Sequence, residues 1–213
     1  MRIISEKDRR QIEKILGGMK DPVKLIHFTR ETECDTCDET RALLEELAAI
    51  SDNLSLEVIA FDAANEFGVD KVPATVIERA DGQRLRFYGI PAGYEFASLL
   101  DAIVLVSKGD SELAPESRTL LASVRDPLHL EVLVTPTCPY CPRAVRLAYQ
   151  LALENPNITA DAVEIGEFPS LGQQYRVMGV PKTMINGRDG IDGALPESAF
   201  VPMLLLSTRE GVA

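Results

Sequence analysis

Apolar and polar residues follow one another along the chain in two patterns, and each pattern predicts a different element. Short apolar runs at Val23–Phe28 and Leu54–Ala60 predict buried strands. Between these runs, Leu43, Leu44 and Leu47 recur at a spacing that places them on one face of a helix. The first part of the chain is therefore predicted to contain a strand, a helix and a second strand.

The residues on either side of this core complete the pattern. The charged segment Glu6–Leu16 predicts a helix before the first strand, and Tyr94–Ser107 predicts a closing helix. Strands at Thr75–Glu78 and Arg84–Tyr88 surround Asp81-Gly82, a dipeptide typical of a hairpin turn. With a short helical or irregular link before the hairpin, the predicted order is α-β-α-β-α-β-β-α.

The same order returns in the second half of the chain. The segment KDPVKLIHF at Lys20–Phe28 matches RDPLHLEVLV at Arg125–Val134, and the further anchors recur at nearly one offset. They are Pro22 and Pro127, Cys34 and Cys138, Pro73 and Pro181, Gly89 and Gly193, and Phe96 and Phe200. The predicted elements of the second copy are helices at Glu116–Val124, from the cysteines to about Ala152, and at Glu197–Thr208, with strands at Leu128–Val134, Ile158–Ile165 and Thr183–Ile185.

This repeat predicts the fold class and the domains. Strands that alternate with helices and end in a hairpin favour an α/β fold of two tandem units, each a mixed four-stranded sheet flanked by helices. The predicted domains are residues 1–110, with Cys34 and Cys37, and residues 116–213, with Cys138 and Cys141. A polar segment, Ser107–Ser117, joins them.

The net charge and the hydropathy of the chain limit the classes of partner and the cellular location that the sequence predicts. The chain of 213 residues has a formal net charge of −11, which argues against nucleic acid or an anionic membrane as a partner. Its first residues are charged, and no apolar run approaches the roughly 20 residues that cross a bilayer. We therefore expect a soluble cytoplasmic protein whose partners are proteins or small molecules.

All four cysteines fall into two Cys-x-x-Cys pairs, Cys34/Cys37 and Cys138/Cys141. In a protein expected to remain in the cytoplasm, this usage indicates redox catalysis or metal binding rather than structural disulfides. The metal alternative is a structural zinc site in which the two pairs together form a Cys₄ cage.

The position of each pair just before a predicted helix favours the redox interpretation. The N-terminus of a helix carries unpaired N–H groups and a partial positive charge, so it stabilises a thiolate on a cysteine at or near the N-cap. The second cysteine, one helical turn later, can then attack a mixed disulfide formed by the first. Pro139 is expected at the first helical position, which suits its fixed φ and missing N–H.

The motif Cys138-Pro139-Tyr140-Cys141 resembles the active-site signature of glutaredoxins, within the thioredoxin-fold superfamily. The segment GVPKTMINGRDGIDGAL, Gly179–Leu195, is similar to the cis-proline loop, hairpin and glycine turn of the same family. The tandem pattern resembles the protein disulfide oxidoreductases of thermophilic archaea and bacteria. It also resembles the amino-terminal reductase portion of bacterial peroxiredoxin reductases, in which one thiol pair is missing and a flavoprotein follows.

This resemblance implies a dithiol–disulfide oxidoreductase that acts on protein disulfides, needs no bound cofactor and is recharged by a thioredoxin-reductase-type flavoenzyme. It implies that Cys138 attacks, that Cys141 resolves, and that Cys34 and Cys37 form a second centre. The substrate-binding residues it implies are Val180, Pro181, Val72, Pro73 and Tyr140, with both prolines after cis peptide bonds. The alternatives are a dedicated electron carrier to a peroxiredoxin and a zinc-binding structural module.

The family resemblance also implies a buried acid behind the cysteines that accepts a proton. Three strand carboxylates, Glu57, Glu131 and Glu164, are candidates from the sequence. The only histidines, His27 and His129, are interpreted as strand residues. Arg143 and Arg146 follow the second thiol pair, and both a solvated position and a role in stabilising the thiolate stay open.

Overall fold

The computed structural model describes residues 3–210, without the side chains of Asn65, Asp189 and residues 208–210. The outermost residues of the two predicted domains, 1–2 and 211–213, lie outside this range. The chain divides into two compact units, one formed by residues 1–92 and 99–109 and the other by residues 93–98 and 110–213.

The first unit begins with a helix that its own side chains cap. The Ser5 hydroxyl accepts a hydrogen bond from the Asp8 N–H, and Gly17 ends the helix. In chain order the elements are α1 (Glu6–Leu16), β1 (Val23–Thr29), α2 (Cys37–Ala48), β2 (Leu54–Ala60), a 3-10 helix (Phe61–Phe67), β3 (Ala74–Arg79), β4 (Arg84–Tyr88) and α3 (Tyr94–Lys108). The first turn of α3, up to residue 98, belongs to the second unit.

The second unit repeats this order. Its elements are α4 (Pro115–Leu121), β5 (Leu128–Val134), α5 (Cys141–Glu154), β6 (Ile158–Glu164), α6 (Pro169–Gln174), β7 (Lys182–Ile185), β8 (Arg188–Asp192) and α7 (Glu197–Glu210). The predicted helix at Glu116–Val124 ends earlier, at Leu121, because the Asn155 side chain donates to the carbonyls of Leu121 and Val124 and so caps the chain after α4.

The strands of each unit pair in the same way. In the first unit β1 is parallel to β2 and antiparallel to β3, which is antiparallel to β4. In the second unit β5 is parallel to β6 and antiparallel to β7, which is antiparallel to β8. These pairings confirm the predicted α/β class and the mixed four-stranded sheet in each unit.

The central strands carry the hydrophobic core of each unit. Apart from His129, every residue of β5 is buried, which agrees with its nearly continuous apolar sequence. The largest fully buried side chains are Tyr88, Tyr149, Phe28, Phe87, Leu25, Ile26, Leu44, Leu47, Ile77, Leu85, Leu99 and Ile103. Among residues 3–210, no helix is long and apolar enough to cross a membrane.

Two candidate thiol–disulfide centres

The second thiol pair lies in the turn between β5 and α5. Cys138 and Cys141 form a disulfide whose Cα atoms are 5.5 Å apart, and the Cys138 N–H donates to the Thr135 carbonyl. Helix α5 begins at Cys141, so the prediction that Pro139 occupies the first helical position is wrong. The tight turn between the two cysteines includes Pro139, and the helix can begin only after that turn.

The helix terminus nevertheless acts on Cys138. The N–H of Cys141, the first residue of α5, lies 3.1 Å from the Cys138 sulfur and donates to it. Cys141 is completely buried, whereas Cys138 keeps 7% of its surface exposed. Cys138 is therefore the less buried cysteine of the pair, and its sulfur is the one that accepts a hydrogen bond from the positive end of the helix.

The loop before β7 lies against the same sulfur. The carbonyl oxygen of Val180 is 3.7 Å from the Cys138 sulfur. The Val180–Pro181 peptide bond is cis, and so is Val72–Pro73 in the first unit, which confirms that prediction. Tyr140, between the two cysteines, is 63% exposed and forms the outer side of this centre.

A buried carboxylic acid, Glu95, lies beside the second centre, and sequence reasoning missed it. It belongs to the first turn of α3, where the Tyr94 N–H donates to the Pro136 carbonyl at 2.9 Å, two residues before Cys138. Gly93 allows this approach because it has a positive φ and because a Cβ there would lie 2.3 Å from the Pro136 oxygen.

The Glu95 carboxyl group is buried away from solvent. Both oxygens are buried, and neither has a hydrogen-bond partner within residues 3–210. Burial raises the pKa of Glu95 to about 7; the neighbouring Glu164 also raises it, while the Ser98 hydroxyl acts in the opposite direction. Glu95 can therefore change its protonation state near neutral pH.

The sequence did contain a signal for Glu95. An acidic residue in the first turn of a helix is commonly exposed to solvent, where it interacts favourably with the helix dipole. For this reason the sequence position of Glu95 does not by itself indicate a buried acid. Glu95 occurs, however, on the helical face of Leu99, Ala102 and Val106, all of which are buried. A carboxylate in register with an apolar stripe is the pattern that identifies it.

The three carboxylates singled out from the sequence have different surroundings. Glu57 is half exposed and pairs with Lys24 at 2.9 Å, so it is not a buried acid. Glu131 is buried and accepts a hydrogen bond from the Tyr175 hydroxyl at 2.8 Å. Glu164 is also buried, and burial raises its pKa although the N–H groups of Gly166 and Glu167 act against the shift.

The first thiol pair has a similar local arrangement with different chemistry around it. Cys34 and Cys37 form a disulfide, Cys37 is buried and starts α2, and Cys34 is partly exposed. Behind them the buried His27 ring contacts the carbonyls of Cys37 and Ala74 at 3.3 and 3.2 Å. The acidic residues near Cys34 all lie at the surface, and they are Glu31, Glu33, Asp35, Asp38 and Glu39.

The remaining candidates take structural positions or stay open. His129, on β5, pairs with the buried Asp161 on β6 at 2.6 Å. Arg146 pairs with Glu112 at 2.5 Å, while Arg143 is exposed. Within residues 3–210, no three His, Cys, Asp or Glu side chains are placed to hold a metal ion.

Comparisons with known proteins agree with this geometry. The family model described as a thioredoxin domain matches residues 128–206. The N-terminal domain of the alkyl hydroperoxide reductase AhpF from Enterococcus faecalis superimposes with a TM-score of 0.87 at 27% identity, covering 94% of this chain and 99% of that chain.

The curated relatives include a longer protein. The alkyl hydroperoxide reductase AhpF of Escherichia coli is 28% identical over 194 residues, which cover 90% of this chain and 35% of that protein. The chain thus spans about a third of the length of this relative.

Another solved structure also matches almost the whole length of both chains. The protein disulfide oxidoreductase of Aeropyrum pernix is 32% identical, with a TM-score of 0.89 over 99% of this chain and 96% of that chain. Both predicted Cys-x-x-Cys pairs are joined as disulfides in the present structure. On this similarity and these two centres, the chain belongs to the family of tandem thioredoxin-fold protein disulfide oxidoreductases.

Proposed function

We propose that the protein reduces, oxidises or isomerises disulfide bonds in other proteins, with Cys138 and Cys141 as its principal centre. The observation that carries this proposal is the hydrogen bond from the first N–H of α5 to the Cys138 sulfur at 3.1 Å. The same contact stabilises a thiolate once the disulfide is opened, because the donor and the helix dipole both favour negative charge.

In the reductive direction the reaction takes two exchange steps. The Cys138 thiolate attacks a substrate disulfide, so that one substrate sulfur becomes bonded to Cys138 and the other leaves as a thiolate. Cys141 then attacks the Cys138 sulfur, which restores the protein disulfide and releases the second substrate sulfur. Because Cys141 is completely buried, its thiol needs a base, and Glu95 is the buried group proposed to accept that proton.

The proposed substrate groove follows from the groups around Cys138. The Val180 carbonyl next to the sulfur and the backbone at Pro181 offer main-chain contacts to an extended substrate segment, and Tyr140 offers an exposed aromatic surface. Val72 and Pro73 have the corresponding place in the first unit. Backbone recognition of this kind suits many protein substrates because it depends little on their side chains.

Cys34 and Cys37 act in this proposal as a second redox centre, carried by the thioredoxin-like unit of residues 1–110, while residues 116–213 carry the principal one. A flavoenzyme of the thioredoxin-reductase type supplies electrons in the cytoplasm. The repeat of the strand pairing, with a thiol pair before the second helix of each unit, supports two functional centres rather than one.

Trapping of the mixed disulfide tests the proposal. A variant with Cys34→Ser, Cys37→Ser and Cys141→Ser keeps only the attacking thiol. It should form mixed disulfides with unrelated disulfide proteins, and dithiothreitol should reduce these covalent complexes. The matched control replaces Cys138 and retains Cys141, whose buried sulfur should trap little. Equal trapping by both variants, or none by the first, contradicts the proposed order of attack.

A dedicated electron carrier to a peroxiredoxin is the second candidate, favoured by the similarity to the alkyl hydroperoxide reductase AhpF. The two functions differ in substrate range. A general oxidoreductase reduces insulin and other unrelated disulfides at comparable rates, whereas a dedicated carrier turns over a peroxiredoxin and leaves the others almost untouched.

A further inference from the structure

The ring of His27, in β1 behind the first thiol pair, lies between two hydrogen-bond acceptors. Its Nδ1 atom is 3.2 Å from the Ala74 carbonyl oxygen, and its Nε2 atom is 3.3 Å from the Cys37 carbonyl oxygen. Neither oxygen can donate, and a neutral imidazole has only one N–H. The neutral ring therefore satisfies one of the two carbonyls, whereas the protonated ring satisfies both.

These two carbonyls belong to the two segments that build the first centre. Cys37 is half of the disulfide and the first residue of α2, and Ala74 directly follows Pro73 at the start of β3. His27 is fully buried, so water does not compete for either contact. The charge on the ring thus determines whether it donates a hydrogen bond to one of these segments or to both.

The groups around the His27 ring do not fix its charge. Burial lowers the pKa of His27, and the carbonyls of Cys37 and Ala74 act in the opposite direction. In the described part of the chain, the charged side chains that act on the ring are Arg41 and Glu45 of α2, which have opposite effects and pair with each other at 2.8 Å.

The neighbouring strands supply no charge on the face of His27. In register with it lie Thr75 of β3 and Val58 of β2, and the Thr75 hydroxyl is buried without a hydrogen-bond partner within residues 3–210. A new negative charge on Cys34 is therefore the change in this environment that is expected to protonate the ring.

We propose that His27 is the positioning residue that holds a proton for the first centre: it is neutral while the Cys34–Cys37 disulfide is intact and protonated once the centre is reduced. This inference rests on the proposed function, since it requires Cys34 and Cys37 to exchange disulfides. It concerns the first unit alone, because the second unit has Val132 at the place opposite its own buried threonine, Thr183.

The step balances in atoms and charge. An incoming dithiol forms a new disulfide, its two electrons break the Cys34–Cys37 bond, and its two protons are released. One proton goes to the Cys37 sulfur and the other to His27, which leaves a thiolate on Cys34 and an imidazolium behind it. Each charge favours the other, so reduction of the pair raises the affinity of His27 for a proton.

Nitrogen-15 NMR of the ring tests this coupling directly, because the chain has only two histidines. In a Cys138→Ser, Cys141→Ser variant, the two histidine rings are titrated with pH twice. The Cys34–Cys37 disulfide is intact in the first titration and reduced with dithiothreitol in the second. The titration midpoint of His27 should rise on reduction by about one pH unit or more. His129, which pairs with Asp161, is the internal control and should not move. An unchanged His27 midpoint overturns the proposal.

A His27→Gln variant in the same background distinguishes the effect of protonating His27 from the effect of its hydrogen bond. Glutamine can still donate to one carbonyl but cannot take up a proton, so alkylation of Cys34 should slow about tenfold at pH 6 and match the parent at pH 9. His129→Gln should leave the profile unchanged. Identical profiles, or an equal loss at every pH, contradict a proton-holding role. The NMR titration decides the matter if this variant does not fold.

The two proposals fail in different ways. A first pair that neither dithiothreitol nor a disulfide such as oxidised glutathione can cycle refutes the first centre itself and the role of His27 with it. A pair that cycles while the His27 midpoint stays fixed refutes only the role of His27.

Discussion

At the scale of single residues, the surroundings of a carboxylate decide what it does in this molecule. Glu57 pairs with a lysine at the surface, Glu131 accepts a hydrogen bond from a tyrosine, and Glu164 binds backbone N–H groups. Glu95 alone among these four is buried without a partner in the described part of the chain. The sequence identified the cysteines and prolines through their spacing, but Glu95 comes from a helix in the first half of the chain, so no local motif connects it to Cys138.

Glu95→Gln should change how stability depends on pH. The pKa of Glu95 is about 7 in the folded protein against an ordinary value of 4.5, so the folded state binds the proton more tightly. Stability from this group is complete below pH 4.5 and is lost as the pH rises through 7, by on the order of 3 kcal/mol. Urea unfolding at pH 4.5 and pH 8 should show a loss of stability that is smaller in the variant than in the parent by this amount.

The exposed Glu57 provides the control for that measurement. Glu57→Gln should leave the difference between the two pH values as it is in the parent, because Glu57 is solvated and paired at the surface. If Glu95→Gln retains the parent's loss of stability, the carboxyl group of Glu95 is not the titrating group described here.

At the scale of elements, the two cysteine-bearing helices begin alike but carry different charge. Helix α2 has Asp38 and Glu39 in its first turn, whereas α5 has no acidic residue there. Apolar periodicity located both helices to within a few residues. It could not show that each starts at the second cysteine, because the boundary depends on the turn that the first cysteine forms with its neighbours, as Cys138 does with Thr135.

Neutralising the first turn of α2 should favour the Cys34 thiolate. Carboxylates in the first turn of α2 disfavour a negative charge on a sulfur at the start of that helix, so Asp38→Asn with Glu39→Gln should lower the pKa of Cys34. The pH dependence of iodoacetamide alkylation, in protein that lacks the second pair, measures this change.

Asp52→Asn is the matched control for the α2 variant, since it removes one exposed negative charge beyond the other end of the same helix. It should leave the alkylation profile of Cys34 unchanged. An equal effect of the two variants would mean that net charge, rather than the first turn of α2, sets the reactivity of Cys34.

At the scale of the whole molecule, each copy of the repeated unit carries a thiol pair, and a different buried titratable group lies near each pair. The repeat of prolines, cysteines and glycines predicted both sheets, because the order of strands and helices follows from local patterns. The buried titratable groups differ between the two units, and no local sequence pattern predicts this difference. His27 lies behind the first pair and Glu95 beside the second. These interior groups required the structure, since their neighbours come from distant parts of the chain.

The two centres should also differ in reduction potential. Surface carboxylates surround Cys34, whereas Cys138 has none in the first turn of its helix, so Cys138 should have the lower thiol pKa and its pair should be the stronger oxidant. At pH 9, where His27→Gln is expected to match the parent, the first pair should have the more negative potential. Variants that keep one pair at a time, equilibrated against glutathione or dithiothreitol, measure both values; a first pair that is equally or more oxidising contradicts this order.

The proposed function requires the molecule to exchange disulfides mainly through Cys138. The most direct measurement compares insulin reduction, driven by dithiothreitol, in the parent, the Cys138→Ser variant and the Cys34→Ser variant at equal concentration. Cys138→Ser should lose most of the activity, whereas Cys34→Ser should keep a substantial part of it. An inactive Cys34→Ser variant beside an active Cys138→Ser variant would mean that the first pair, and not Cys138, is the principal centre.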